Sequence, residues 1–204
     1  MIPMPPSDVA DALGDAFAPA PNMGVWARET FIAEGADLLN EDHAHLRAAT
    51  PGFLWTNVGN TKKGRMVIGQ AEPGAPQGAM GKWSRARAEL QVAEWFGTIP
   101  DFIITLQADW WLSATDPQRC ALVEHELYHC AQATDAFGAP KFNKQTGRPS
   151  FTMRGHDVEE FVGVVRRYGA TTAGVQEMVD AALAGPEIGE AEISSICGVC
   201  LRAA

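Results

Sequence analysis

Apolar residues recur along this chain at two spacings, and the changes between them mark out the elements. From Trp26 to Ala48, Phe31, Leu38, Leu39 and Leu46 follow a helical period until Thr50-Pro51-Gly52 breaks it. Phe53–Val58 and Met66–Ile68 read as short strands joined by the turn-like Gly59–Gly64. Gly74–Gly81 reads as a loop, and Trp83–Phe96 fits helix or strand equally. Phe102, Ile104, Leu106 and Ala108 alternate, which predicts a strand. The strongest helical pattern follows, from Pro117 to about Thr134, with Asp116 as the expected N-cap. Lys141–Lys144 and Ser150–Arg154 suit two arms of a hairpin around Gln145-Thr146-Gly147-Arg148. A second helix is expected from Asp157, with Val158, Phe161, Val162, Val165 and Tyr168 on one face and Gly169 at its end. A third spans about Thr172–Leu183, stopped by Gly185-Pro186. No internal repeat is visible.

With 204 residues, 46% of them hydrophobic, the chain can bury one sizeable core. Residues 1–22 are rich in Pro and Ala and read as an arm, residues 23–185 as the domain, and residues 186–204 as a tail. The net charge of −9 argues against a general nucleic-acid partner, because phosphate contacts need a basic surface. No apolar run is long enough for a bilayer, so no membrane partner is expected. A secretory signal is not visible, and the expected compartment is the cytoplasm. Oligomeric state is not legible. Four cysteines are too few for a disulfide scaffold of this length. Cys120 and Cys130 fall on or beside the apolar arc of the strongest helix and read as buried thiols. Cys197 and Cys200 form a Cys-x-x-Cys in the tail, half of a metal site at most, which His43 and His45 would have to complete.

The chemistry concentrates in His125-Glu126-Leu127-Tyr128-His129, a His-Glu-x-x-His run. Composition alone predicts on the order of 0.01 such runs in this chain, so the motif is informative. With His125 at 0°, ideal helix geometry places His129 at about 40°, while Val123, Leu127, Cys130 and Ala131 fall between about 140° and 240°. The ligand arc is thus separate from the core arc. Both imidazoles can reach one Zn²⁺, and Glu126, about 100° around, can stay off the ion and take a proton from the water it activates. Tyr128 reads as packing.

A catalytic zinc usually has three protein ligands and an open position. His156 is the favoured third donor, being an imidazole 27 residues past His129, far enough for a hairpin to return the chain. Glu160 and then Glu159 are the alternatives, either of which gives a two-His, one-Glu site. Asp157 or Glu160 can instead support a ligand imidazole, and Asp157 and Glu159 also suit a helix N-terminus.

Asp101-Phe102-Ile103-Ile104, His125-Glu126-Leu127-Tyr128-His129-Cys130, His156-Asp157-Val158-Glu159-Glu160-Phe161 and Arg166-Arg167-Tyr168-Gly169 together resemble a family of small metallopeptidases of bacteriophages and bacterial genomes. More distantly the layout is similar to SprT-like proteases, which act on proteins attached to DNA. The resemblance implies an α+β, zincin-like fold for residues 23–185. It implies a zinc-dependent hydrolase with His125 and His129 as ligands and Glu126 as base, acting on a protein or peptide. A phage-encoded member would work in the bacterial host cytoplasm. The expected sheet is small, twisted and mostly antiparallel, with a peptide extending along its edge. Two rival readings stay open: a metal-dependent hydrolase of a non-peptide amide, and a non-catalytic zinc-binding interaction protein of a virus or prophage.

Overall fold

The computed structural model describes residues 1–78 and 80–189. It is a mixed α+β structure whose main sheet has four strands, β1 (Phe17–Pro19), β2 (Pro51–Thr56), β5 (Gly69–Pro73) and β6 (Phe102–Gln107). Their order is β1-β2-β6-β5. The β2–β6 pair is parallel and the two outer pairings are antiparallel, so the sheet is mostly antiparallel, as the sequence suggests. A short hairpin, β3 (Thr61–Lys62) and β4 (Arg65–Met66), leads into β5.

Side-chain alternation divides the core between the two faces of this sheet. Phe53, Trp55, Phe102, Ile104 and Leu106 point to one face and pack with Phe31, Trp111, Val123 and Leu127, all at most 2% exposed. Trp55 meets Trp111 edge-on with ring centroids 5.1 Å apart. Leu54 and Ile103 point to the other face, where Val92, Trp95 and Phe96 of α3 (Lys82–Phe96) cover them. The stretch that fitted helix or strand equally is therefore a helix on the sheet's second face.

Residues 1–22 are part of this architecture. After α1 (Ser7–Ala10), β1 pairs with β2, and Ile2, Val9 and Ala20 are buried in the main core. Residues 190–204, with Cys197 and Cys200, lie outside the described residues. The helix expected over residues 26–48 is broken. α2 (Pro21–Ala27) runs into a π-turn at Arg28–Ile32, the chain bends at Gly35 (φ +79°), and a 3₁₀ stretch covers Glu41–Ala48. Phe31, Leu38 and Leu46 still reach the core, so their apolar spacing was real, although no single helix carries it.

α4 (Ala108–Ser113) links β6 to α5 (Asp116–His129), the helix of the His-Glu-x-x-His run. The N-cap of α5 is Thr115 rather than Asp116: the Gln118 side chain accepts from the Thr115 amide at 2.8 Å. Asp116 instead pairs with Arg119. The helix stops at His129, five residues earlier than expected, because Cys130–Gln132 extends as β7 to pair with β8 (Phe151–Met153). The hairpin beyond is closed by the bridges Thr134–Pro140 and Phe142–Pro149. Arg148 ties it to Asp101 at 3.0 Å. Among the described residues, the remaining helices are α6 (Val162–Tyr168) and α7 (Gln176–Ala184), both starting later than their apolar periods suggest.

Candidate metal centre

The β7–β8 pairing builds the site. Cys130 stands opposite Met153, and the next residue, Arg154, donates its amide to the His129 carbonyl at 2.9 Å. His156 follows two residues later and swings over the end of α5. No helix carries it there, since residues 157–161 are non-helical and α6 begins only at Val162.

The three imidazoles converge. His125 Nε2 lies 3.3 Å from His129 Nε2 and 3.3 Å from His156 Nε2. One ligand atom from each of the three lies within 4.8 Å of the others, an arrangement that can hold a metal ion. Its chemistry fits a cation. His129 Nδ1 sits 2.7 Å from the Arg154 carbonyl, so it must carry the proton, and Nε2 of the neutral ring is left as a lone pair. His125 Nε2 can donate to one neighbour at most, yet faces two. A shared cation resolves the crowding of lone pairs. Tetrahedral coordination at 2.0–2.1 Å requires donor separations of about 3.3–3.4 Å, which the two measured distances match. Burial lowers the His125 pKa, and the neighbouring His129 and His156 lower it further. A ring held neutral in this way is ready to ligate.

The alternative donors stand elsewhere. The Glu159 carboxylate is 3.9 Å from His156 Nδ1, on the far side of that ring from Nε2. Glu160 accepts a hydrogen bond from its own neighbour, the Phe161 amide, at 2.6 Å. Asp157 pairs with Arg154.

Glu126 is 3% exposed, and its Oε2 has no hydrogen-bond partner among the described residues. Burial raises its pKa, an effect that His129 and a hydrogen bond from the Ala71 amide partly offset. The space for its carboxylate exists because residue 69 is glycine. A Cβ there would stand 2.7 Å from Glu126 Oε1 and 2.9 Å from Leu122 Cδ1. Sequence reasoning did not find Gly69 or Ala71, since Gly-Gln-Ala-Glu-Pro carries no strand signature. A glycine directly after an apolar run was the only available hint.

Behind α5, a polar set from the 3₁₀ stretch holds the helix. Tyr128 donates to Asp42 at 3.0 Å, and Asn40 donates to Glu124 at 2.7 Å and to Tyr128 at 2.9 Å. Tyr128 thus anchors through its hydroxyl as well as packing. His45 Nε2 bonds the Cys130 carbonyl at 2.7 Å. His43 is fully buried against the Tyr128 ring, and burial, aided by His45, lowers its pKa to about 4. Cys120 and Cys130 are buried, as their helical phase suggests, and burial pushes the Cys130 thiol up to about 12.

The histidines open onto a cleft of about 880 Å³. Edge strand β5, the β3–β4 hairpin, α5 and the Met153–His156 segment line it. No helix among the described residues is long and apolar enough to cross a membrane.

Fold and site together define the class: a small α+β domain with a three-histidine candidate metal centre at an open cleft. The chain belongs to a phage metallopeptidase family, for the family model described as putative phage metallopeptidase matches residues 25–183. No curated protein and no solved structure matches it.

Proposed function

We propose that the protein is a zinc-dependent peptidase of zincin-like architecture, in which His125, His129 and His156 hold one Zn²⁺ and Glu126 is the general base. The observation that carries this reading is the convergence of three imidazoles, with His125 Nε2 3.3 Å from both His129 Nε2 and His156 Nε2, together with a buried Glu126 carboxylate whose Oε2 has no hydrogen-bond partner among the described residues. Membership of a metallopeptidase family supports the same reading. Three nitrogen donors, with no fourth protein donor in the cluster among the described residues, leave a coordination position for water or substrate, as catalytic zinc sites require.

When bound, zinc supplies Lewis acidity, polarising the scissile carbonyl and acidifying a water. The protein does the rest. β5 is the edge strand of the sheet, so its outer backbone groups can pair with an extended peptide and lay it across the histidines. Glu126, held by Gly69 and the Ala71 amide, takes the proton of the attacking water and returns it to the leaving amine. Its raised pKa helps it keep that proton between the two transfers. The Arg154 carbonyl fixes the tautomer of His129.

Replacing Glu126 with Gln tests the reading, because the amide preserves shape but accepts no proton. Peptide cleavage by E126Q is expected to fall by at least about 100-fold, while bound zinc, measured by mass spectrometry, stays at one ion per chain. Unchanged cleavage would sink the assignment of Glu126.

A further inference from the structure

The β3–β4 hairpin turns through Lys63 and Gly64, both with positive φ, at 52° and 76°. This is the two-residue geometry whose first position usually holds Asn, Asp or Gly, and here a lysine occupies it. Lys62 and Arg65 face each other across the ladder. Lys62, Lys63 and Arg65 therefore crowd one exposed tip, and none of them makes an ion pair among the described residues.

The hairpin borders the cleft through Thr61, Lys62 and Met66, with Lys63 and Arg65 next to these lining residues along the chain. Among the described residues, the charged side chains lining the cleft apart from Glu126 and the three histidines are Lys62 and Arg154, both cationic. Arg154 is already engaged by Asp157, so the hairpin supplies the unbalanced charge. The chain as a whole has 25 acidic residues against 16 basic ones, so bulk composition does not explain a cationic cleft. An exposed cationic group at the mouth of a cleft concentrates ligands of the opposite sign there, while the one lining carboxylate, Glu126, is buried.

We infer that the β3–β4 hairpin is a basic clamp, and that the preferred substrate is a peptide segment with Asp or Glu to one side of the cleaved bond. This rests on the peptidase reading above and names its substrate class. A peptide fits better than a nucleic acid. The cationic tip is short, Met66, Ile68, Trp110 and Leu122 give the cleft an apolar wall, and the net charge of −9 opposes a long phosphate backbone.

The test uses the full-length, zinc-loaded protein and rhodamine-labelled peptides identical except for Glu, Gln or Lys in the residues flanking one bond. Cleavage is read as kcat/KM and binding as anisotropy. Wild type is expected to favour the Glu peptide over the Gln peptide by about tenfold or more in both readouts. The K62Q/K63N/R65Q variant should remove most of that ratio. Asn at position 63 tolerates positive φ, so the turn is retained, which circular dichroism and a thermal melt verify. Lys62→Glu alone should shift preference toward the Lys peptide. Arg85→Gln with Arg87→Gln, on α3, should leave the ratio as it is. A ratio that the triple variant does not change overturns the clamp, as does displacement of the Glu peptide by single-stranded DNA at lower concentration than by unlabelled peptide. If no peptide is cleaved but selective binding of the Glu peptide is lost in the triple variant, the peptidase reading fails and the clamp stands. Cleavage without charge preference does the reverse.

Discussion

Gly69 is the point at which the sheet gives way to the carboxylate of Glu126, and Gly69→Ala puts that contact to the test. The new Cβ would lie 2.7 Å from Glu126 Oε1, 3.2 Å from its Cδ and 2.9 Å from Leu122 Cδ1. Restoring ordinary contact requires the carboxylate to retreat by about 0.7 Å or more. It has little room to do so, being 3% exposed and held by the Ala71 amide. A misplacement of about 1 Å in a catalytic group costs on the order of 100-fold in rate, so kcat should fall by about 10- to 100-fold, or about 1.4–2.7 kcal/mol of transition-state stabilisation. The three atoms nearest the new methyl belong to Glu126 and Leu122 and none to an imidazole, so zinc content should be unchanged. The assay pairs kcat on a cleaved peptide with zinc per chain, using Gly14→Ala as control because nothing lies within 4 Å of a Cβ there. If G69A retained kcat within about twofold of wild type with zinc bound, the reasoning that this glycine sets the position of the base would be refuted.

Acid should weaken the fold through His43. Its pKa is about 4 in the fold against 6.5 for an ordinary histidine, so between those values the unfolded chain binds the extra proton. The contribution is complete above about pH 6.5 and is lost as pH falls toward 4, by about 3 kcal/mol, and His43→Leu should flatten that part of the profile in urea unfolding. An identical slope in both proteins would contradict it. Leu127→Ala removes a fully buried side chain from the core face of the metal-site helix and should cost about 2–5 kcal/mol of unfolding free energy. A loss below about 1 kcal/mol would mean that α5 is not packed on this core.

The most legible part of the chain was α5. An i, i+4 pair of histidines opposite Val123 and Leu127 declares both a helix and its two faces, and the structure buries those two residues and opens the histidines to the cleft. β6 was legible for a similar reason, since the apolar alternation of Phe102, Ile104 and Leu106 needs no partner to be recognised. β5 was not: Gly69–Pro73 has no branched or aromatic residue and becomes a strand only because β6 offers it an edge. The broken helix between residues 26 and 48 shows how apolar spacing reports burial without reporting continuity. Helical period misled again after His156. Val158, Phe161 and Val162 suggested a helix from Asp157, but the helix starts at Val162, and Phe161 and Val162 are exposed. The placement of His156 depended on where β7 and β8 pair, a non-local register that no spacing in the sequence encodes.

The most direct test of the centre itself is X-ray absorption at the zinc edge of the full-length, zinc-loaded protein. The expected spectrum has three imidazole nitrogens and one or two lighter oxygen donors at about 2.0–2.1 Å, and it loses one imidazole shell in His156→Ala. A sulfur shell at about 2.3 Å, or four protein ligands with His156→Ala unchanged, would contradict an open three-histidine zinc site.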